Sequence, residues 1–310
     1  METHDKIFIA GHRGLVGSAI LRRLRAAGFA NLITRTHKRL DLENQSSVLR
    51  FFKKERPAYV VLAAAKVGGI LANDTCPADF IGRNLRLQTN VIDAALQAGT
   101  RKLLFLGSSC IYPRECPQPI SESHLLTGPL EKTNEWYAIA KIAGIKLCQA
   151  YRRQFGFGAI CAMPTNLYGP GDNFDDDSSH VLPALLRRFH EARREGRDEA
   201  IVWGSGRPRR EFLHVDDLAD ACLFLMQHYD DEQIINVGTG KDMSISELAE
   251  LIRDIVGFKG KIRFDPSRPD GTPRKVLDVS RMSKLGWRSS ISVREGILST
   301  YRWAVQNVFR

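Results

Sequence analysis

Residues 6–20, KIFIAGHRGLVGSAI, decide the fold. KIFIA is a short apolar strand, and the stretch from Gly14 onward carries apolar positions three and four apart, the period of a helix. Between them Gly11, Gly14 and Gly17 stand three apart, with His12 and Arg13 inside the turn and Leu15 and Val16 opening the helix. A tight turn needs glycine's backbone freedom, a pyrophosphate must approach the backbone closely, and a helix N-terminus offers unpaired N–H groups to an anion. Three glycines alone are a weak signal. Their place between a strand and a helix makes this a dinucleotide-binding turn.

Reading outward, strand and helix alternate. NLITRT is a second strand, SSVLRFFKKER a helix that Pro57 ends, and YVVLAAA a third strand. A long helix over ADFIGRNLRLQTNVIDAALQAG precedes the strand KLLFLGSS, and the helix NEWYAIAKIAGIKLCQAYRRQF leads to the strand GAICAMPTNLYGP. Continuously apolar strands separated by amphipathic helices predict an α/β fold, a doubly wound parallel sheet covered on both faces. After about residue 170 the pattern loosens into the acidic loop GDNFDDDSSH, the helix VLPALLRRFHEARREG, short strands in IVWGSGRPRREFLHV, and a helix over VDDLADACLFLMQH that Asp216 or Asp217 would cap. We expect a Rossmann-type domain from 1–168 plus about 212–240. A smaller, mostly C-terminal substrate lobe, about 169–211 plus 241–310, would lie over the carboxyl edge of the sheet.

Composition narrows the function classes. The apolar fraction of 43% and charged fraction of 26% are ordinary for a globular protein. We expect no secretory leader, because METHDKIFIAGHRG runs straight into a strand, and no apolar run approaches the roughly 20 residues a bilayer crossing requires. Cys76, Cys110, Cys116, Cys148, Cys161 and Cys222 form no C-x-x-C pair, which argues against a zinc site or a disulfide framework and for reduced thiols in the cytoplasm. The net charge of +10 invites a polyanion, yet the basic residues are dispersed, with no aromatic stripe beside them. We therefore expect a phosphorylated small molecule rather than nucleic acid, and no membrane partner.

After the second strand an acid would hold the ribose hydroxyls of NAD. Here the chain reads Arg35, His37, Lys38, Arg39, Leu40, with no acid before Asp41 and Leu42. With Arg13 in the glycine turn, this positive charge suits the 2′-phosphate of NADP(H). Which of the basic side chains meets that phosphate stays open. Tyr137 and Lys141, in YAIAK, lie at i and i+4 on one helix face. A nearby ammonium would lower the tyrosine from its ordinary value near 10 and let it pass a proton to a carbonyl oxygen. Ser108, at the end of the preceding strand, can hydrogen-bond that same oxygen.

Gly-x-x-Gly-x-x-Gly, then serine, then Tyr-x-x-x-Lys resembles the extended short-chain dehydrogenase/reductase family over nearly the whole chain. More narrowly, AGHRGLVGSAI, LAAAKVGGI, FLGSSCIYP, YAIAKIAGIKLC, MPTNLYGP and WGSGRPRREFLHVDDL are similar to the GDP-L-fucose synthase family. The resemblance implies an NADPH-dependent enzyme that epimerises C3 and C5 of GDP-4-keto-6-deoxy-D-mannose and then reduces the C4 ketone. It implies Ser108, Tyr137 and Lys141 at the C4 oxygen, and Cys110 and His180 as the base and acid of epimerisation. It places Leu106, Gly107, Ser108, Ser109, Lys141, Pro164, Thr165, Asn166, Leu167 and His180 along the nicotinamide side. It assigns Arg188, Trp203, Arg210 and Asp270 to the nucleotide sugar, and it implies a homodimer built through the helices near 78–99 and 135–155. Two other readings compete: an epimerase or dehydratase that keeps NAD permanently bound, and a catalytically silent scaffold or RNA binder.

Overall fold

The computed structural model describes residues 1–175, 179–268 and 270–309. The chain opens with β1 (Ile7–Ala10), α1 (Leu15–Ala26), β2 (Leu32–Ile33), α2 (Gln45–Glu55) and β3 (Tyr59–Leu62). A short α3 (Ile70–Thr75) runs into α4 (Pro77–Gln97), followed by β4 (Lys102–Leu106), α5 (Glu135–Phe155), β5 (Gly158–Pro164) and β6 (Asn166–Tyr168). The second half holds α6 (Val181–Arg194), β7 (Glu199–Trp203), β8 (Arg209–His214), α7 (Val215–His228), β9 (Ile235–Val237) and β10 (Asp242–Ser244). It ends with α8 (Ile245–Val256), β11 (Lys261–Asp265), β12 (Arg274–Lys275), α9 (Ser280–Lys284) and α10 (Val293–Asn307).

Six parallel strands form the main sheet in the order β2-β1-β3-β4-β5-β9. Alternate side chains of each strand leave on opposite faces, so apolar runs must be covered twice. Phe8, Val60, Leu62, Leu103 and Phe105 pack with Phe52, Val91 and Ile145 of α2, α4 and α5. Ile7, Ile9, Val61, Leu104 and Leu106 pack with Ile20, Leu24, Leu218 and Leu225 of α1 and α7. The connection from β1 leads to one side, through α1 to β2, and then α2 crosses back to β3 on the other side. That reversal opens a crevice at the carboxyl ends of β1 and β3, where sheets of this kind take ligands.

The second layer begins where the main sheet is left. The expected strand 158–170 divides at Thr165: β5 stays in the sheet, whereas β6 pairs with β8 in a separate sheet that also holds β10 and β12. β7 and β11 form a parallel pair. Leu182, Leu186 and Phe189 of α6 meet Leu248 and Ile252 of α8 and Ile297 of α10 in a third core. Met282 and Trp287, late in the chain, instead pack under the main sheet.

Two other expectations need correction. β2 spans only Leu32–Ile33, because the polar TRT that follows has no apolar side to bury. The cap of α7 is His214, whose ring accepts from the Asp216 N–H at 3.3 Å. Asp216 and Asp217 sit in the first turn, where Asp216 pairs with Arg22 and Asp217 accepts from Ser290 and Ile291. Of the acidic loop at 171–180, residues 176–178 lie outside the described residues.

Candidate active site

The glycine turn is built by close approach. Gly11 has φ of +88°, and a Cβ there would meet the Ala64 nitrogen at 2.7 Å, so β1 turns directly against the end of β3. A Cβ on Gly17 would stand 2.2 Å from the Gly11 carbonyl oxygen. Only glycine lets the first turn of α1 settle so deeply on the loop. No side chain caps α1 at Gly14, which leaves the first N–H groups of the helix for an anion. Leu15 and Val16 contribute backbone here while their side chains pack on the core.

Beside this turn lies a cleft of about 920 Å³, lined by Gly11–Gly14, Thr34–Glu43, Ala64–Lys66 and Arg83. Arg35 is committed elsewhere, to Glu55 at 2.8 Å and to the Phe51 ring. Among the described residues no ion pair holds the side chains of Arg13, Lys38 or Arg39, and His37 stands 3.7 Å from Asp41. Leu40 is buried, and Asp41 and Leu42 line the cleft floor. Glu43 is neutralised by Arg83 and Arg86 at 2.7 and 3.0 Å. Burial, and then the charge of Arg13, lower the pKa of His12. The cradle and the unpaired cations fit a phosphorylated dinucleotide. Sequence reading missed Lys66 and Arg83, and also Asn84, which accepts from the Lys66 N–H and donates to its carbonyl. No motif marks these three.

The catalytic end lies at the tip of β4. Gly107 lies close against Met163 there, and a Cβ would meet its sulfur at 2.4 Å. Ser108 leaves the strand, and its Oγ accepts from the Cys110 N–H at 3.2 Å, closing a turn through buried Ser109. α5 lies tightly on β4, because Gly144 leaves room for Phe105 at what would be 2.5 Å from a Cβ. This packing carries Tyr137 and Lys141 to the strand end. Lys141 is buried, donates to the Leu106 carbonyl at 2.8 Å, and lies 5.7 Å from the Tyr137 ring centre. Burial brings the lysine down to about 8. The expected lowering of Tyr137 is absent: burial, with Cys110 adding to it, raises the phenol above its ordinary value. The ammonium here is turned to a carbonyl and is itself desolvated, so it does not offset the burial of the phenol.

Opposite stand groups from distant segments. The Cys110 sulfur accepts from Asn134 Nδ2 at 3.5 Å and from Lys275 Nζ at 3.8 Å. Asn134 Oδ1 is buried without a partner. His180 stands at the N-cap of α6 and is exposed, yet protein crowding around its ring, and then the charge of Lys275, lower its pKa. Pro164 ends β5, Thr165 and Asn166 donate to the Glu211 carbonyl at 3.5 and 2.8 Å, and Leu167 lies in β6 beside them.

Farther out, the Arg188 guanidinium lies 4.0 Å and that of Arg268 4.9 Å from the centre of the Trp203 ring, which is 48% exposed. Asp270 accepts from the N–H and hydroxyl of Ser205 at 2.6 and 2.7 Å. Burial lowers the pKa of Arg210, with Asp270 opposing. No described hydrogen bond joins this group to Cys110. Among the described residues no cluster could hold a metal ion, and no helix is long and apolar enough to cross a membrane.

Fold and site together define a nicotinamide-dinucleotide enzyme, with Ser108, Tyr137 and Lys141 gathered at the tip of β4. Residues 7–238 match the family model described as the NAD dependent epimerase/dehydratase family. The chain is 64% identical to "Probable GDP-L-fucose synthase 1" of Oryza sativa subsp. japonica, covering 98% of this chain and 93% of that one. It is 55% identical to "GDP-L-fucose synthase" of Escherichia coli (strain K12), covering 98% and 97%. Among solved structures it is similar to a GDP-L-fucose synthetase from Naegleria fowleri bound to NADP, at 28% identity and a TM-score of 0.91, covering 99% and 96%. The chain belongs to the NAD dependent epimerase/dehydratase family and, within it, to the GDP-L-fucose synthases.

Proposed function

We propose that the chain is a bifunctional 3,5-epimerase and 4-reductase that converts GDP-4-keto-6-deoxy-D-mannose to GDP-L-fucose. Its cofactor is NADP(H), in keeping with the unpaired cations of Arg13, Lys38 and Arg39 around the cleft. The observation that carries the reading is a thiol, Cys110, set one turn from Ser108 and close enough to Tyr137 to act on its phenol. A plain ketoreductase has no use for it.

The C4 ketone acidifies the hydrogens on C3 and C5. Cys110, as thiolate, takes a proton from one face, and His180, as imidazolium, returns one to the other, while Ser108 and Tyr137 hold the C4 oxygen. NADPH supplies the hydride that then reduces C4. A phenol held above its ordinary value stays protonated, ready to give its proton to that oxygen. Lys141 holds positive charge beneath the phenol, and Arg188, Trp203, Arg210 and Asp270 hold the nucleotide sugar. The lobe division at about 168, 212 and 240 separates cofactor from sugar in this reading. The same reading includes a homodimer through α4 and α5, and a cytoplasmic setting suited to six free cysteines.

Purified protein with NADPH and GDP-4-keto-6-deoxy-D-mannose should oxidise the cofactor and yield GDP-L-fucose. Absence of turnover with that ketone, from protein that binds NADPH, would sink the proposal.

A further inference from the structure

We infer that Lys275 is a positioning residue for epimerisation: its ammonium is the counter-ion of the Cys110 thiolate. The inference rests on the epimerase reading above and deepens it.

Lys275 is held by its backbone, not by chance of side-chain rotation. β12 runs parallel to β8, with Lys275 opposite Arg210. Just beyond, the Val276 N–H donates to Gln118 Oε1 at 3.0 Å, its carbonyl accepts from Ile120, and the Leu277 N–H donates to Glu211 Oε2 at 2.8 Å. Glu211 is itself fully buried. The lysine is half-buried, and among the described residues no carboxylate pairs with it. Its ammonium reaches the Cys110 sulfur at 3.8 Å. Asn134 and Ser108 also face the Cys110 turn, Tyr137 faces it from α5, and Cys116 is the other thiol within range of the lysine.

A positive charge at that place favours the sulfur as an anion, the form that can take a proton from carbon. In one inversion the thiolate takes the carbon's proton and becomes a thiol, and the imidazolium gives a proton to the opposite face and becomes neutral. The pair resets when the thiol proton is lost to solvent and the imidazole regains one. With Lys275 present, the first of those two transfers is favoured.

The test is alkylation of Cys110 by iodoacetamide as a function of pH, without substrate, with the Cys110 peptide quantified by mass spectrometry. In Lys275→Met, and in Lys275→Gln as a second variant, the midpoint should rise by about one to three pH units, and Lys275→Arg should restore it. At neutral pH, uptake of solvent deuterium at C3 and C5 should fall roughly tenfold or more. An unchanged midpoint in a folded Lys275→Met protein overturns the inference, as it would if Lys275 served only to bind substrate phosphates. Two further measurements separate the ideas: if Cys110→Ser still exchanges C3 and C5, Cys110 is not the base and the inference fails with it, whereas the epimerase reading itself fails if the wild-type protein exchanges neither carbon.

Discussion

The two ends of the proposed catalytic cleft are built in opposite ways. The end we propose for reduction draws Ser108 from one strand tip and Tyr137 and Lys141 from one helix, pressed so closely together that Gly144 admits no side chain. The end we propose for epimerisation draws on Cys110 from a short turn, His180 from the start of α6 and Lys275 from β12, segments far apart in the chain. The difference follows from the chemistry. Proton delivery to one oxygen needs one fixed donor, which a helix face provides. Inversion at carbon needs groups on both sides of the sugar ring, which segments from separate parts of the chain can supply.

The sharpest way to break this comparison is Tyr137→Phe. Removing the proton donor should cut NADPH oxidation by about two to four orders of magnitude, while deuterium still enters C3 and C5. Loss of both activities together would mean that the two ends are not separable. Gly17→Ala tests the cradle that serves the reducing end. Its Cβ, 2.2 Å from the Gly11 carbonyl, should force the turn open and weaken NADPH binding by at least roughly tenfold, read by fluorescence titration.

Lys141, brought down to about 8, gives the reducing end a pH signature. It is charged below that value and neutral above, so reduction should decline above about pH 8, by about tenfold per unit. Deuterium exchange need not follow it, and in Lys141→Arg the alkaline fall should move away. The smallest effect belongs to the cofactor's far end. Among Arg13→Gln, Lys38→Gln and Arg39→Gln, the variant that loses the 2′-phosphate contact should weaken NADPH roughly tenfold and leave NADH unchanged.

What was legible in the sequence follows the same divide. Gly11, Gly14, Gly17, Tyr137 and Lys141 are spaced by local rules, a turn and a helical repeat, and each lies where its spacing puts it. The central sheet was equally plain from apolar runs. The epimerising roles proposed for Cys110 and His180 rest on resemblance, because nothing in local spacing links the two. Lys275 escaped notice altogether, as one basic residue in RPDGTPRK. Glu211 was equally hidden: in RPRREF it reads as surface charge, yet it is fully buried and accepts the N–H groups of Thr239, Gly240 and Leu277. The Tyr137 phenol rises rather than falls because desolvation depends on packing, which a motif does not record.

The most direct measurement follows the reaction in heavy water by NMR, using GDP-4-keto-6-deoxy-D-mannose and NADPH with the wild-type protein and Cys110→Ser. The account predicts deuterium at C3 and C5 of the wild-type product and its loss in the variant, with Tyr137, Ser108 and Lys141 untouched. NADPH consumption without deuterium at either carbon in the wild type would contradict it, leaving a 4-ketoreductase whose Cys110 has no part in the chemistry.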